Sequence, residues 1–491
     1  MNITHVSLLP AMNNDIKSNC YSAHFVACFL IAGILTFTPG FSVNLHADWN
    51  NPVTLLTEVE AIRIKHNIPA LAIVLMDKNR VISSQVLAKN KTLSIDTPFR
   101  VGSITKTFTA LTLLRLADAG KISLLDPVKN SLPAGTYRNR WDDHAPLKAI
   151  HLLEHTSGLA DLSTREFNSN AVLSLTQAMA ANPHNREMHW PPGTRHSYSN
   201  VNPGLISLLI EQTTGQSFET LALRLLGDLG MPSAGFTQAH VPDLPGGFKA
   251  DGISALPYWN MSFRAFGALN TSAAEMQEFL FFLLNEGKTR KGVRLLRPAT
   301  FEQLFTPTSS LAARNGLKIG YAAGLYGWIQ NGQILHGHGG DADGYLSRYG
   351  LHRESGRGYF IVINTDNPKA IAQLRKRIES ALTSDLETRQ IAQIDIEETI
   401  LTQYSGNYYP STTRFGVQQW LEGQKASARV TVQNGQLVFS YRGRRTRLVP
   451  LGNHLFRRIN DPIATVAIVI GKDNKLYLQG ELGEFVRTSH L

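Results

Sequence analysis

Ser103 and Lys106 stand three residues apart in the stretch Phe99-Arg100-Val101-Gly102-Ser103-Ile104-Thr105-Lys106-Thr107-Phe108-Thr109-Ala110. A glycine there hands an extended segment to a helix, and the apolar run that follows ends at Gly120. Residues i and i+3 of a helix share a face, so the hydroxyl and the amine can meet. The first turn of a helix also offers free N–H groups and a partial positive charge, which suit an oxyanion forming on a substrate. A serine nucleophile with a lysine base requires that combination. The plainer alternative is a capping serine beside a solvated lysine, but this is the only S-x-x-K in the chain.

The segment around Ser103 resembles the nucleophile motif of the serine β-lactamase and penicillin-binding-protein superfamily. The match is to the class C-like branch, with its DD-peptidases, D-aminopeptidases and related esterases. That family carries a second motif, Y-x-N. Three copies occur here, Tyr137-Arg138-Asn139, Tyr198-Ser199-Asn200 and Tyr258-Trp259-Asn260, so spacing alone does not choose. Context does: Trp190-Pro191-Pro192-Gly193-Thr194 leads into Tyr198-Ser199-Asn200, and a helical pattern with Leu205, Leu208, Leu209 and Ile210 follows. The segment Ile150 to Leu159 also resembles the family's L-L-x-H-T-S-G-L. His155, Thr156 and Ser157 within it are expected to be structural, since no base is evident for Ser157. No G-x-S-x-G elbow occurs anywhere, which counts against an α/β-hydrolase.

The third motif, K-T-G or H-x-G, belongs on a late strand. Residues 324–349 contain the turn Asn331-Gly332 between two strand runs, then His338-Gly339-Gly340; no K-[ST]-G is present. The resemblance implies that Ser103 is the nucleophile and that Lys106 and Tyr198 share the proton transfers. It further implies that Asn200 holds the substrate amide and the Lys106 amine, and that His338, Gly339 and Gly340 bind substrate. The backbone N–H groups of Ser103 and Asp341 would form the oxyanion hole. No cofactor and no metal are implied. A competing arrangement, with His336, His338, Asp341 and Asp343 as metal ligands, lacks the H-x-H-x-D-H pattern of the metallo-enzymes.

Histidine in place of lysine at 338 has a physical consequence. An imidazole with a pKa near ~6.5 is a weaker carboxylate anchor than an ammonium. Strong β-lactamase activity is therefore less expected than peptidase or esterase action. Recognition of anionic substrates should also fade as pH rises through the titration of His338. The implied activity is acyl-enzyme hydrolysis of a small peptide, D-amino-acid amide or ester, DD-peptidase-like, with β-lactams as inhibitors or slow substrates and peptidoglycan as a candidate partner. The alternatives are a carboxylesterase, a weak class C-like β-lactamase, or a non-catalytic receptor or scaffold for cell-wall peptides or penicillins.

The elements that must position these groups can be read from periodicity. Residues 53–66, with Val53, Leu56, Val59 and Ile62, read as an amphipathic helix. Ala70 to Met76 and Val81 to Leu87 read as a hairpin around Asp77-Lys78-Asn79. Ala273 to Leu284 reads as a core helix, Gly356 to Asn364 as a strand, and Ala370 to Leu382 as a closing helix that returns the chain to the N-terminal hairpin. The expected fold is α/β (α+β): a β-lactamase/transpeptidase-like mixed sheet flanked by helices, with an all-helical lobe. From Tyr404 the period becomes two, with runs at 428–433, 437–441, 448–451, 465–470 and 476–479 and a turn at Asn434-Gly435. These short hairpins imply a small antiparallel barrel, which resembles the lipocalin-like domain attached to many members of the superfamily.

The expected division is a signal peptide at 1–47, a hydrolase domain at 48–383, a linker at 384–396 and a barrel domain at 397–491. In the first segment, Lys17 precedes an apolar core from Phe25 to Phe37 that breaks at Thr38-Pro39-Gly40, with Ala47 as a small residue for cleavage and Met12 as an alternative start. That core is short for a span of ~20 residues, so an exported, periplasmic or secreted protein is expected. With 491 residues, 43% hydrophobic and 18% charged, a packed globular chain of two or three domains is expected, not a disordered one. Both cysteines, Cys20 and Cys28, precede residue 47, so the remainder has neither a cysteine nucleophile nor a thiolate zinc site. The net charge of +10 includes Arg375-Lys376-Arg377 and the run from Arg442 to Arg447. No nucleic-acid motif accompanies them. A solvated surface is the expected role, with anionic cell-wall or membrane surfaces next.

Overall fold

The computed structural model describes residues 49, 51–89, 92–169, 173–414 and 427–487. The expected signal segment lies outside the described residues. Helix α1 (Pro52–Lys65) leads into strands β1 (Ala70–Asp77) and β2 (Arg80–Ala88). Helix α2 (Thr105–Asp118) follows the nucleophile turn. A helical region containing α3 (Val201–Thr214) and α4 (Phe218–Leu229) comes next, then α5 (Ala273–Leu284). Four strands return to the sheet as β3 (Tyr326–Gln330), β4 (Gln333–Ala342), β5 (Tyr345–His352) and β6 (Arg357–Ile363), and α6 (Pro368–Thr383) closes the layer.

The sheet has the order β2-β1-β6-β5-β4-β3. The class expected from the sequence is present, a helix-flanked sheet beside a helical region, and every neighbouring strand pair in it runs antiparallel. The last strand does return to the first: Leu71 pairs with Ile363 and Asp77 with Arg357. Because side chains alternate along a strand, β1 feeds two cores. Ala72, Val74 and Met76 face the layer of α2 and α5, while Leu71, Ile73 and Leu75 face α1 and α6. A strand buried on both faces reads as a continuous apolar run, as ALAIVLM does.

One expectation needs correction. Helix α1 buries Leu55, Val59 and Ile62, whereas Val53 is 68% exposed. Two stripes are open to this helix by period, and packing selects the i, i+4, i+7 set, since Val53 sits in the exposed first turn.

The C-terminal strands β7 (Gly406–Pro410), β8 (Ala428–Gln433), β9 (Gln436–Tyr441), β10 (Arg444–Gly452), β11 (Leu455–Arg458), β12 (Val466–Ile470), β13 (Leu476–Gly480) and β14 (Phe485–Arg487) close into one antiparallel barrel. Closure removes the exposed edges of the sheet. Its interior holds Tyr408, Val430, Phe439, Phe456, Ile468 and Leu478. The barrel also has an apolar outer patch: Ala467, Val469 and Tyr477 pack with Ala312, Leu317 and Ile319 of the segment before β3. Polar bonds flank that patch. Gln479 accepts from Ala312 N at 2.8 Å and donates to Thr194 O at 2.9 Å. Thr194 lies four residues before Tyr198, so the barrel is docked against the approach to the second motif. Among the described residues no helix is long and apolar enough to cross a membrane.

Candidate active site

The nucleophile turn is built by close backbone approach. The short strand Pro98–Arg100 pairs with Asn270–Ser272, and Gly102–Ile104 makes a single 3₁₀ turn before α2 begins at Thr105. Gly102 has φ +51°, and a Cβ on it would lie 2.7 Å from the Asp341 amide nitrogen. A side chain at 340 is excluded more severely, because its Cβ would fall 1.8 Å from Val101 O. Ser347 Oγ donates to that same oxygen at 2.8 Å. Glycine permits the contact, and the contact brings the backbone of Ser103 beside the end of β4, where Asp341 carries its N–H.

Lys106 is 3% exposed and donates to Ser103 Oγ at 2.9 Å and to Phe266 O at 2.6 Å. Burial drives its amine well below the ordinary value of 10.5; Asp161 and Asp341 oppose that shift and Arg414 adds to it. Taking an ammonium out of water disfavours the charged form, so the site favours a neutral amine beside the serine. Tyr198 shows the opposite response for the same reason. Burial raises its phenol, against a hydrogen bond with Ser103 that lowers it. The phenol therefore stays protonated, next to the hydroxyl it touches. The Lys106 Nζ also sits 4.9 Å from the centroid of the Tyr198 ring.

The ring of Tyr198 is stacked on His155, with centroids 4.3 Å apart. His155 adopts φ +53° and accepts from Ser199 N at 3.1 Å, with Asn202 Nδ2 2.9 Å from the same Nδ1. Burial keeps this imidazole well below its ordinary value, so it acts here as a neutral acceptor. Ser157 donates to Asn202 Oδ1 at 2.7 Å and caps its own turn through Leu159 N. The structural role expected for this segment thus has a definite object, the Tyr198–Asn202 stretch. Asn200 is held by Asp161: its N–H donates to Oδ1 at 2.7 Å and its Nδ2 to Oδ2 at 3.2 Å. Its own Oδ1 is buried without a partner, and the Lys106 bonds go to Ser103 and Phe266 rather than to Asn200. The amide oxygen left over can accept an N–H from a bound molecule.

His338 is 3% exposed, and its Nε2 lies 2.8 Å from the Tyr321 hydroxyl. Burial, with the nearby Lys106 as a smaller cause, pushes its imidazole down to about 3. This runs against the expected titration of His338 between pH 5 and 8: burial among the rings of Tyr198, Tyr321 and Tyr326 disfavours its cation. Between pH 5 and 8 the kcat/KM ratio of an anionic to a neutral ester should stay level, and His338→Gln should leave that ratio's profile unchanged. A sigmoid centred near pH 6 in the wild type alone would contradict this.

Ser103, Tyr198, Asn200, His338, Gly339 and Asp341 line one cavity of about 860 Å³. Phe167, Met261 and Phe266 supply an apolar part of its wall. Tyr137 and Tyr258, the other two Y-x-N tyrosines, do not line it. Gly340 lies under the wall, pressed on Val101. Among the described residues no three His, Cys, Asp or Glu side chains converge as a metal site; His336 packs edge-on against Phe305, with centroids 5.3 Å apart. The site also uses residues the sequence did not single out. Asp161, Tyr321 and the Phe266 carbonyl orient the motif side chains, and Arg414, Gln479 and Glu484 reach it from the barrel. A backbone carbonyl has no residue-type signal, and an aspartate six positions after His155 has no recognisable spacing.

Comparison with known proteins bears on the family and the fold. A family model described as Beta-lactamase matches residues 55–383. Protein flp of Staphylococcus aureus (strain COL) is 25% identical over 332 residues, 64% of either chain. The chain thus spans about 64% of the length of these curated relatives. The octameric penicillin-binding protein homologue from Pyrococcus abyssi shares the fold with a TM-score of 0.57 at 20% identity, over 88% of this chain and 99% of that one. The D-stereospecific amidohydrolase from Streptomyces sp. superposes with a TM-score of 0.53 at 24% identity, over 67% of this chain and 98% of that one. With the family model covering two thirds of the sequence, and with the sheet, the helical region and the cavity arranged as described, the chain belongs to the beta-lactamase family of hydrolases.

Proposed function

We propose that the protein is a serine hydrolase that works through an acyl-enzyme on Ser103. Its substrate on this reading is a small peptide, D-amino-acid amide or ester, DD-peptidase-like, with β-lactams bound as analogues. One observation carries the reading: a buried amine, held toward its neutral form, 2.9 Å from a serine hydroxyl. Lys106 takes the Ser103 proton as Oγ attacks the carbonyl. The N–H groups of Ser103 and Asp341 receive the oxyanion, each such donor being worth ~3 kcal/mol of transition-state stabilisation. Tyr198, still protonated, gives its proton to the leaving nitrogen and recovers one from the Lys106 ammonium. Water then cleaves the ester by the reverse path.

The neutral His338 supports a second reading, a carboxylesterase with small acyl groups, because an uncharged imidazole at the third motif does not itself anchor a substrate carboxylate. A panel of a D-Ala-D-Ala peptide, a D-amino-acid amide, nitrocefin and p-nitrophenyl acetate separates the two and also tests for an idle penicillin-binding receptor, which would turn over none of them. Tyr198→Phe sharpens the result. An amide nitrogen must be protonated to leave, so kcat on amides should fall about 10²- to 10³-fold. p-Nitrophenolate leaves without a proton, so the ester should lose less than about tenfold. Equal losses on both would remove Tyr198 as the acid. Residues 1–47 support export to the periplasm or beyond as part of the proposal, with peptidoglycan fragments as candidate substrates; fractionation of cells expressing the full chain checks it.

A further inference from the structure

The barrel does more than pack beside the hydrolase domain. Arg414, four residues after the end of β7, accepts a hydrogen bond at its main-chain oxygen from Asp161 N at 3.1 Å. Its Nε donates to Asp161 Oδ2 at 2.8 Å, and the Asp161 side chain is 0% exposed. The same carboxylate receives the N–H and Nδ2 of Asn200 and the N–H of Leu162. The guanidinium carbon lies 4.7 Å from the centroid of the Tyr198 ring. Arg414 therefore touches one motif residue directly and holds the second through a single buried carboxylate. It also lines the cavity that Ser103 lines.

We propose that Arg414, supplied by the barrel, is a positioning residue for Tyr198 and Asn200 and balances the charge around the Lys106 amine, so that the barrel completes the catalytic site. The inference rests on the reading of Ser103 as the nucleophile. An ion pair between packed domains would ordinarily concern stability alone, and an exposed one contributes little even there. This one is different in its buried member. Asp161 without Arg414 would be an anion enclosed beside the reacting groups, and such a charge acts at full strength. The groups facing Lys106 are Asp161 and Asp341, which favour its ammonium, Arg414, which opposes it, the Tyr198 phenol, and the neutral imidazoles of His155 and His338. Among these, Arg414 is the cation that opposes the ammonium. Remove it, and the two carboxylates are left to hold the proton on Lys106.

The test is the pH profile of kcat/KM for p-nitrophenyl acetate in the full chain, for wild type, Arg414→Gln, Arg414→Lys and Asp161→Asn. The acid limb reports conversion of Lys106 to its neutral form. Arg414→Gln should move that limb up by about one pH unit and lower kcat about tenfold with less change in KM. Arg414→Lys keeps the charge and should leave the limb near that of the wild type. Asp161→Asn should move it down. Melting temperature, and labelling of Ser103 by a fluorophosphonate at alkaline pH, show that each variant is folded with its serine intact. Coincident limbs in all four proteins, or equal losses in Arg414→Gln and Arg414→Lys with no limb shift, would reduce the contact to packing and overturn the proposal. No label on the wild type would instead overturn the serine reading beneath it.

Discussion

Ser103→Ala should take no label from a fluorophosphonate or a fluorescent penicillin, and its kcat/KM on any substrate the wild type cleaves should fall by about 10⁴-fold or more. The magnitude follows from what remains. The oxyanion N–H groups, the cavity and the Tyr198 proton are all still present in the variant, and such a remnant sustains only a modest advantage over water. Without Oγ no acyl-enzyme forms, so the reaction would need a water molecule placed where the alcohol was, without a covalent intermediate. Intact-mass spectrometry after incubation with penicillin reads the result directly. An adduct that persists at the wild-type rate would move the nucleophile elsewhere, and the buried serine at 157 is poorly placed to receive it because its hydroxyl is committed to a hydrogen bond with the Asn202 amide oxygen, which is no base.

The sequence disclosed some of these groups and not others, for reasons that can be given residue by residue. Ser103 and Lys106 were legible because i and i+3 is a local relation, and the first turn delivers the 2.9 Å contact without help from the rest of the chain. Tyr198 was legible only through its neighbours: Trp190 to Thr194 set it apart from two other Y-x-N copies, and those copies lie off the cavity. Gly340 had a motif but no stated reason, and the reason is a carbonyl of Val101 that sits 239 positions earlier. Strands β1, β8 and β12 were legible from their alternation or continuous apolarity, while β11 and β14 were missed because three or four residues carry too little pattern, and β7 because its sequence GNYYP puts glycine and proline at the ends of the strand. The behaviour of His338 could not be read from its residue type. Its ordinary pKa suggested a titrating wall, and burial beside Tyr321 and Tyr326 removed the charge. Arg414 was hidden for a simpler reason. Its partner lies 253 residues away in another domain, and no local pattern records a contact of that kind.

Lys106→Met should lower kcat by about 10³-fold or more on amides and esters alike, and at pH 7 its melting temperature should hold level or rise. The two effects have one cause. In the unfolded chain Lys106 keeps its proton up to its ordinary value of 10.5, whereas burial drives the native amine well below that. Between those two values the unfolded state binds more protons than the native state, so the stability of the wild type increases with pH across that window. Below the native value the folded protein must bury an ammonium, and the cost of keeping lysine is greatest there. Methionine has nearly the same length and no proton to lose. The price is the Phe266 carbonyl, which loses its donor, a penalty of about 1–3 kcal/mol if water does not replace it. The difference in melting temperature between variant and wild type should therefore shrink as pH is raised from 6 to 10. A difference that stays level over that range would mean that the lysine is charged in the native state, and an amine in that condition cannot take the proton from Ser103.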